Sequence, residues 1–225
     1  MQIQKRLKEA SSVLVVGGGY IGTEISAEIA CKVKDCKITL VHSQKRLLER
    51  SPLVASRYAE YFLRKRHVQI ILGEKVIDHT DDVFVTNSNR SLQSDVTIWC
   101  TGTRANPVFL KNFDGLLLSK DQRIKVNDYF QLSTHNHIYA GGDITDIAEE
   151  KTARKAEIHA HFIARNILCE AQKKQCKKYE SESSPLVISL GNYYGITQFQ
   201  QMVFAGFGHG LLNEIIEWWT LQQFQ

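Results

Sequence analysis

Several absences narrow the reading before any motif is considered. The 225 residues contain no Cys-x-x-Cys pair, and Cys31, Cys36, Cys100, Cys169 and Cys176 have no zinc-finger spacing with histidine. No metal site is expected, and the reading is reduced cysteines, several of them buried, in an intracellular protein. No apolar run approaches the length that spans a bilayer. Residues 1–10 lack the apolar stretch of a signal peptide, and Gln2 stands where N-myristoylation would need glycine. An excess of one charge is also missing: 28 Lys+Arg against 24 Asp+Glu leaves +4, with the bases scattered among acids. That balance argues against a nucleic-acid partner. There is no internal repeat and no low-complexity tract.

What is present suits one large or two small globular domains, with 43% hydrophobic and 23% charged residues. Residues 2–10 read as the end of a basic helix. Val13 to Val16 is a fully apolar, β-branched run ending at glycine, the pattern of a buried parallel strand. Ile21, Ile25, Ala27, Ile29 and Ala30 then form the apolar side of a helix reaching about Lys34. Lys37 to Val41 is a second buried strand. Pro52 opens a helix to about Arg66, with Leu53, Tyr58, Phe62 and Leu63 for its inner side, and Val68 to Leu72 is a third strand. From Lys75 to Thr97 short β-like pieces alternate with turn residues, which predicts a β-meander. Val96 to Cys100 returns to a buried strand and runs into Thr101-Gly102. Beyond Asn106 a second unit is expected. It holds a short strand, Ile138 to Ala140, that meets Gly141-Gly142-Asp143, and a long helix from about Ala153 to Cys176. Lys173, Lys174, Lys177 and Lys178 would suit that helix's C-terminus. Residues 180–184 read as a polar linker.

Gly17-Gly18-Gly19-Tyr20-Ile21-Gly22 carries the first chemistry, because it follows an apolar strand and opens a helix. In a dinucleotide-binding turn Gly17 permits the tight bend, Gly19 lets the backbone approach a pyrophosphate, and Gly22 allows close helix–strand packing. The uncapped amides and positive end of the helix then face the phosphates of NAD(H) or NADP(H). An acidic residue about twenty positions further on would favour NAD, but this sequence has Val41-His42-Ser43-Gln44-Lys45-Arg46. With no carboxylate there, Arg46 or Lys45 can pair with a 2′-phosphate, and the expectation is dual use of NADH and NADPH. His42 either stacks on adenine or caps the strand.

Three motifs in order make the reading more specific. They are Val15-Val-Gly-Gly-Gly-Tyr-Ile-Gly-Thr-Glu24, Trp99-Cys-Thr-Gly-Thr-Arg-Ala-Asn106 and Ile138-Tyr-Ala-Gly-Gly-Asp143. Together they resemble the nicotinamide-binding domain and the second half of the FAD-binding domain of the two-dinucleotide flavoproteins. Val41-His-Ser-Gln44 and Gly191-x-x-x-Gly195-Ile-Thr-Gln198 are similar to the apoptosis-inducing-factor-like and ferroptosis-suppressor branch, related to type II NADH dehydrogenases. The resemblance covers essentially the whole chain. It implies an α/β fold: a Rossmann-like NAD(P)-binding domain with a β-meander insertion, plus the C-terminal half of an FAD-binding domain. The corresponding segments are a remnant helix or linker at 1–10, the NAD(P)-binding domain at 11–105, the FAD-domain half at 106–180 and a C-terminal segment at 181–225.

The resemblance also implies residue roles. Asp143, after Gly142, would accept a hydrogen bond from FAD hydroxyls, and the backbone at Lys155 and Ala156 would lie near the flavin pyrimidine ring. Glu24 matches an acidic residue near the nicotinamide and is the one candidate for a catalytic role. Thr101 and Gly102 would return close to the nicotinamide nucleotide. The implied activity is NAD(P)H-dependent hydride transfer to FAD and on to a small-molecule acceptor, a quinone. The implied place is cytoplasmic or peripheral at a membrane (lipid droplet, plasma membrane or mitochondrion). The alternative is a non-catalytic NAD(P)-binding module. A departure motivates it: the family's first glycine turn, for the FAD pyrophosphate, has no counterpart before Gly17, so the chain is expected to be truncated, to take the missing half from another chain, or to have lost flavin chemistry.

Weaker signals are set aside for physical reasons. Tyr61-x-x-x-Lys65 matches a short-chain dehydrogenase pair but follows the glycines too soon. His159 and His161 alternate on a helix and so point apart. The amphipathic stretch Leu211 to Trp219 reads as a peripheral membrane contact or as core or dimer packing.

Overall fold

A computed structural model describes residues 2–110, 113, 118–181 and 185–209. The stretch Leu211 to Trp219 lies outside the described residues. Two compact units are formed, Met1–Gly102 with Ser183–Gln225, and Thr103–Glu182.

The first unit is built on a parallel sheet. Helix α1 (Gln2–Glu9) precedes β1 (Ser12–Val16), which is followed by α2 (Tyr20–Lys32), β2 (Lys37–His42), α3 (Leu53–Arg64) and β3 (Gln69–Leu72). β7 (Val96–Trp99) completes the sheet in the order β3-β2-β1-β7. β1 sits between β2 and β7, with Val16 registered on Val41 and on Trp99. Its four apolar residues are buried on both faces, as a central parallel strand requires. Val13 and Val15 face the two helices with Ile38 and Leu40, while Leu14, Val16 and Val41 face the opposite side.

That opposite side is covered by the expected meander. β4 (Val76–Thr80), β5 (Val83–Thr86) and β6 (Ser91–Gln93) pair antiparallel and bury Val76 and Phe84 against the sheet. On the helix side α3 buries Ala55, Ala59, Phe62 and Leu63. Leu53, expected inside, is half exposed because it lies in the first turn, ahead of the buried stripe.

The C-terminal strands pack as part of this unit. β10 (Leu186–Leu190), β11 (Tyr194–Phe199) and β12 (Met202–Phe207) form an antiparallel sheet that lies on α2 and α3. Ile188, Leu190 and Ile196 join the helix-side core, so both helices are enclosed between two sheets. Phe62 reaches Tyr194 at 5.6 Å between ring centroids, and the Arg66 guanidinium lies over the Phe62 ring.

The second unit has β8 (Gln131–Leu132) paired with β9 (His135–Tyr139), a 3₁₀ turn at Gly142–Ile144, and α4 (Ala153–Ala171). Fully buried Phe130 packs on His159, Phe162 and Tyr179. α4 stops at Ala171, five residues before the expected end at Cys176. Lys173 takes a left-handed conformation (φ +54°), and its amide and that of Lys174 donate to carbonyls of the last turn. The chain then doubles back, and the buried Asn166 amide bonds both the N–H and the carbonyl of Lys177. Lys173, Lys174, Lys177 and Lys178 therefore lie beyond the helix rather than in its last turn, which has no basic residue.

The cysteines are reduced as expected but less buried than expected. All five are free, Cys31 is exposed and the other four are half-buried. Among the described residues no helix is long and apolar enough to cross a membrane, and no cluster could hold a metal ion.

Candidate functional site

The glycine turn is shaped by its neighbours in the sheet. Gly17 follows β1 with φ +113°, and its N–H donates to the Val41 carbonyl at 2.7 Å. A Cβ on Gly17 would stand 2.3 Å from the Cys100 carbonyl oxygen, at the end of β7. On Gly22 it would stand 1.8 Å from the Gly17 carbonyl oxygen, and on Gly18 it would stand 2.5 Å from the Leu47 side chain. Gly19 is the exception: a Cβ there meets nothing within 4 Å. Three glycines let the protein close on itself, and the fourth keeps one side of the turn open.

That open side coincides with the start of α2. Gly19 is its N-cap with no side-chain capping bond, and Thr23 N–H makes the first intrahelical bond, to Gly19. The preceding amides have no intrahelical acceptor, which is the arrangement that receives a phosphate. Ile21 is exposed beside them, and Tyr20 is half-buried with the Arg50 guanidinium 5.2 Å above its ring. Thr101 and Gly102 are exposed just beyond β7, on the side where Cys100 touches Gly17. The cradle fits a dinucleotide pyrophosphate.

His42, at the end of β2, is part of the turn rather than a bystander. Its side chain is 8% exposed, and Nδ1 accepts the Gly18 N–H at 3.0 Å. With Nδ1 an acceptor, the neutral ring carries its proton on Nε2, which donates to Glu49 Oε2 at 3.0 Å. Of the two roles expected for His42, the structure displays the capping one. The Gly18 amide is thereby committed to the protein and not offered to a phosphate.

Glu49 corrects the view that no carboxylate lies at the end of the second strand. It arrives there through the loop 43–51, which buried Leu47 and Leu48 pin down and which donates Leu48 N–H to Gly18 at 3.0 Å. Arg46, expected to reach outward to a 2′-phosphate, turns inward and donates to the carbonyls of Leu48 and Glu49. Ser43 and Lys45 are exposed. Glu24 sits two residues past Gly22 on α2, and its carboxylate accepts the Ser189 N–H of β10 at 2.8 Å. That bond ties α2 to the C-terminal sheet.

In the second unit a matching device appears around Gly142, which has φ +74°. The Gly142 N–H donates to His159 Nδ1 at 3.0 Å, and His159 Nε2 faces Glu149. Glu149 is 5% exposed and His159 1%. Glu149 also pairs with Lys155 Nζ at 2.9 Å and accepts from Ser181 Oγ at 2.6 Å and Tyr179 OH at 3.1 Å. Burial pushes its carboxyl up, but the hydrogen bonds from Ser181, Lys155 and His159 outweigh that and hold it at about 2. Asp143 is exposed in the turn, with the Arg123 guanidinium on its carbonyl oxygen. Ala156 packs against Gly142, and Lys155 N–H donates to the Thr152 N-cap. The Lys155 side chain is thus buried in an ion pair, while its backbone stays near the turn.

The structure gathers Gly17 to Gly22, His42, Thr101 and Gly102 into one place in the first unit, and Gly142, Asp143, Lys155 and Ala156 into one place in the second. Sequence reasoning missed Glu49 and Glu149, because each acts through a histidine at no characteristic spacing. His161 is exposed and turned to Glu157, apart from His159. Tyr61 is exposed, with Lys65 beside its ring.

Comparison with known proteins fits this geometry. A family model described as pyridine nucleotide-disulphide oxidoreductase matches residues 2–161. Ferroptosis suppressor protein 1 of Taeniopygia guttata is 33% identical over 205 residues, covering 86% of this chain and 55% of that protein. An FAD-dependent oxidoreductase of Flammulina velutipes is 30% identical, covering 87% of this chain and 62% of that one. The chain spans about half the length of the curated relatives it matches. Among solved structures, the water-forming NADH oxidase of Lactobacillus brevis bound to NADH superposes with a TM-score of 0.73 at 24% identity, over 88% of this chain and 44% of that one. This last likeness shows the fold.

Proposed function

Because the chain belongs to the pyridine nucleotide-disulphide oxidoreductase family, we propose that it is the nicotinamide-nucleotide-binding portion of an NAD(P)H-dependent flavoprotein oxidoreductase. The observation that carries this reading is the turn at Gly17–Gly22, closed by its own chain at three glycines and open at Gly19. The amides at the start of α2 offset the pyrophosphate charge, and the open face of Gly19 lets the phosphates approach the backbone. Thr101 and Gly102 border the nucleotide on the β7 side. Glu24, bonded to Ser189, holds α2 against β10 and so keeps the turn's helix in place.

In the second unit the residues fit their share of an FAD site. Asp143 presents a carboxylate for hydroxyls of the cofactor, and Gly142 with Ala156 forms a tight floor from which the helix backbone at Lys155 continues. When bound, flavin supplies the acceptance of hydride from the nicotinamide and the passage of electrons to an acceptor of the quinone class. The protein's part is position and phosphate binding. A peripheral membrane contact through Leu211 to Trp219, where such an acceptor would dissolve, belongs to the same proposal.

A second reading is favoured by one observation: the 225 residues contain a single Gly-x-Gly-x-x-Gly. A chain with one such turn can act as an NAD(P)-binding module without flavin. Purified protein separates the two. A yellow protein with visible flavin absorbance that is bleached by NADH supports the oxidoreductase. A colourless protein that binds NADH or NADPH in a calorimetric titration supports the module. A folded protein that binds neither nucleotide and no flavin overturns both.

A further inference from the structure

We propose that His159, braced by Glu149, is the positioning residue for Asp143 in the second unit's share of an FAD site. The inference rests on the proposed reading of Asp143 as the carboxylate that meets FAD hydroxyls, and it names the group that aims that carboxylate. Asp143 lies on the short turn between β9 and α4 and is itself exposed. A side chain on a turn points where its backbone points, so whatever fixes the turn also fixes the carboxylate. The turn is seated on one face of α4. A Cβ on Gly141 would stand 2.8 Å from Ile163 Cδ1 and 3.3 Å from His159 Cβ, and one on Gly142 would stand 3.4 Å from Ala156 Cβ. Ala156, His159 and Ile163 follow one another at intervals of three and four, the spacing of a single helix face.

The carbonyls of the turn are each held. That of Gly142 accepts from Thr145 N–H at 3.2 Å and from the buried Thr145 Oγ1 at 2.9 Å. That of Asp143 accepts from the Arg123 guanidinium, and that of Ile144 from Ile124 N–H at 2.8 Å. The peptide between Gly141 and Gly142 is held through its N–H, which donates to His159 Nδ1 at 3.0 Å. Gly142 lies in the left-handed region at φ +74° and has no side chain to lock it there. Without the acceptor that peptide plane can flip, which changes the Gly142 φ and the direction in which Asp143 leaves the turn. His159 is itself fixed: it is 1% exposed, with the Phe130 ring 4.5 Å and the Tyr179 ring 5.3 Å away between centroids. A proton on Nδ1 would face the Gly142 N–H, so the bond requires the neutral ring with its proton on Nε2. Glu149 receives that proton in a hydrogen bond. Lys155 Nζ, 2.9 Å from Glu149, supplies the carboxylate's counter-charge in the ring's place.

Two substitutions at His159 separate aiming from packing. They are made in the full chain, with FAD affinity read from quenching of flavin fluorescence and folding from thermal circular dichroism. In His159→Asn the amide oxygen stands near the place of Nδ1 and still accepts the Gly142 N–H. In His159→Gln the polar group reaches past that place to Glu149. Both lose the ring's packing on Phe130 and should melt lower by similar amounts. FAD affinity should stay within about threefold of wild type in His159→Asn and fall by about tenfold in His159→Gln, the weight of one well-placed hydrogen bond. Phe130→Leu loosens the same ring with its acceptor left in place, so it should melt lower and keep its affinity. Equal affinities in the two histidine variants, or a loss in Phe130→Leu as large as in His159→Gln, overturn the inference and mark His159 as structural only, while the FAD assignment stands. Should neither histidine variant fold, ring ¹⁵N chemical shifts of the wild type decide. With FAD added, His159 must be protonated on Nε2 and bare on Nδ1, and any other state of the ring overturns the inference. Wild-type affinity in Asp143→Ala, or failure of the wild type to bind FAD, overturns the reading of the second unit and the inference with it.

Discussion

Replacing Gly22 by alanine is expected to abolish measurable binding of NADH and NADPH and to lower the melting temperature of the first unit. The reason is local and steric. The new Cβ would stand 1.8 Å from the Gly17 carbonyl oxygen and 2.9 Å from its carbon, both backbone atoms that cannot rotate away. Gly17 has nowhere to retreat, because its own Cβ position is filled by the Cys100 carbonyl and its N–H is held by Val41. α2 must therefore move off β1, which opens the turn and the buried contacts of Ala27 and Ile29. Overpacking of this kind costs about 3 kcal/mol, and a shift of several degrees in melting temperature follows. Gly19→Ala supplies the contrast, since its Cβ meets nothing within 4 Å. That variant should melt with the wild type yet bind nucleotide at least about tenfold more weakly, because the methyl stands where the phosphates approach. Thermal unfolding beside nucleotide titration checks both. Wild-type affinity in Gly19→Ala would show that the open face is not the binding face.

The second large effect concerns the second unit. Glu149→Ala should destabilise it by about 3–5 kcal/mol, the range for breaking a buried ion pair and leaving one partner without its counter-charge. Lys155 is 7% exposed and His159 1%, so neither can turn to water for compensation. The wild type carries a pH signature of the same interaction. The Glu149 carboxyl is held at about 2 when folded, against 4.5 as an ordinary glutamate. Between those values the unfolded chain binds the extra proton. The contribution is therefore fully present above about pH 4.5 and is lost as pH falls toward 2. Its size at neutral pH is about 3 kcal/mol. The groups facing Glu149 are Lys155, His159, Tyr179 and Ser181. Urea unfolding of the second unit from pH 3 to 7 should show wild-type stability falling toward acid, and Glu149→Gln should flatten that slope. Equal slopes in the two proteins would refute the assignment.

The Glu149 pairing behind the second prediction belongs to a construction used twice. A glycine amide in a turn donates to histidine Nδ1, and histidine Nε2 faces a glutamate, as Gly18–His42–Glu49 and as Gly142–His159–Glu149. Each strut fixes the tautomer of its histidine and takes one amide out of use for a ligand. Only the glycine and the histidine at the strand end have recognisable spacing in the sequence. Glu49 comes from a loop whose course depends on where Leu47 and Leu48 find a core, and Glu149 from a segment with no regular structure. Neither signal could be read ahead of the fold.

The sequence by itself determined the local elements around the glycine turn. The buried apolar run of β1, the glycines that follow, the helix after them and the meander of residues 76–93 are written in short-range patterns, since burial on both faces, a positive φ and period-two alternation each leave a mark within a few residues. The ordered motifs at Gly17, Thr101 and Asp143 were legible for the same reason. Tertiary structure alone decided the rest. It placed β10–β12 on α2 and α3, turned Arg46 inward, ended α4 at Ala171 and brought Glu49 to the strand that sequence reading had left without a carboxylate. These features depend on side chains far apart in the chain competing for the same carbonyls, amides and apolar space. That competition is settled only when the chain has folded.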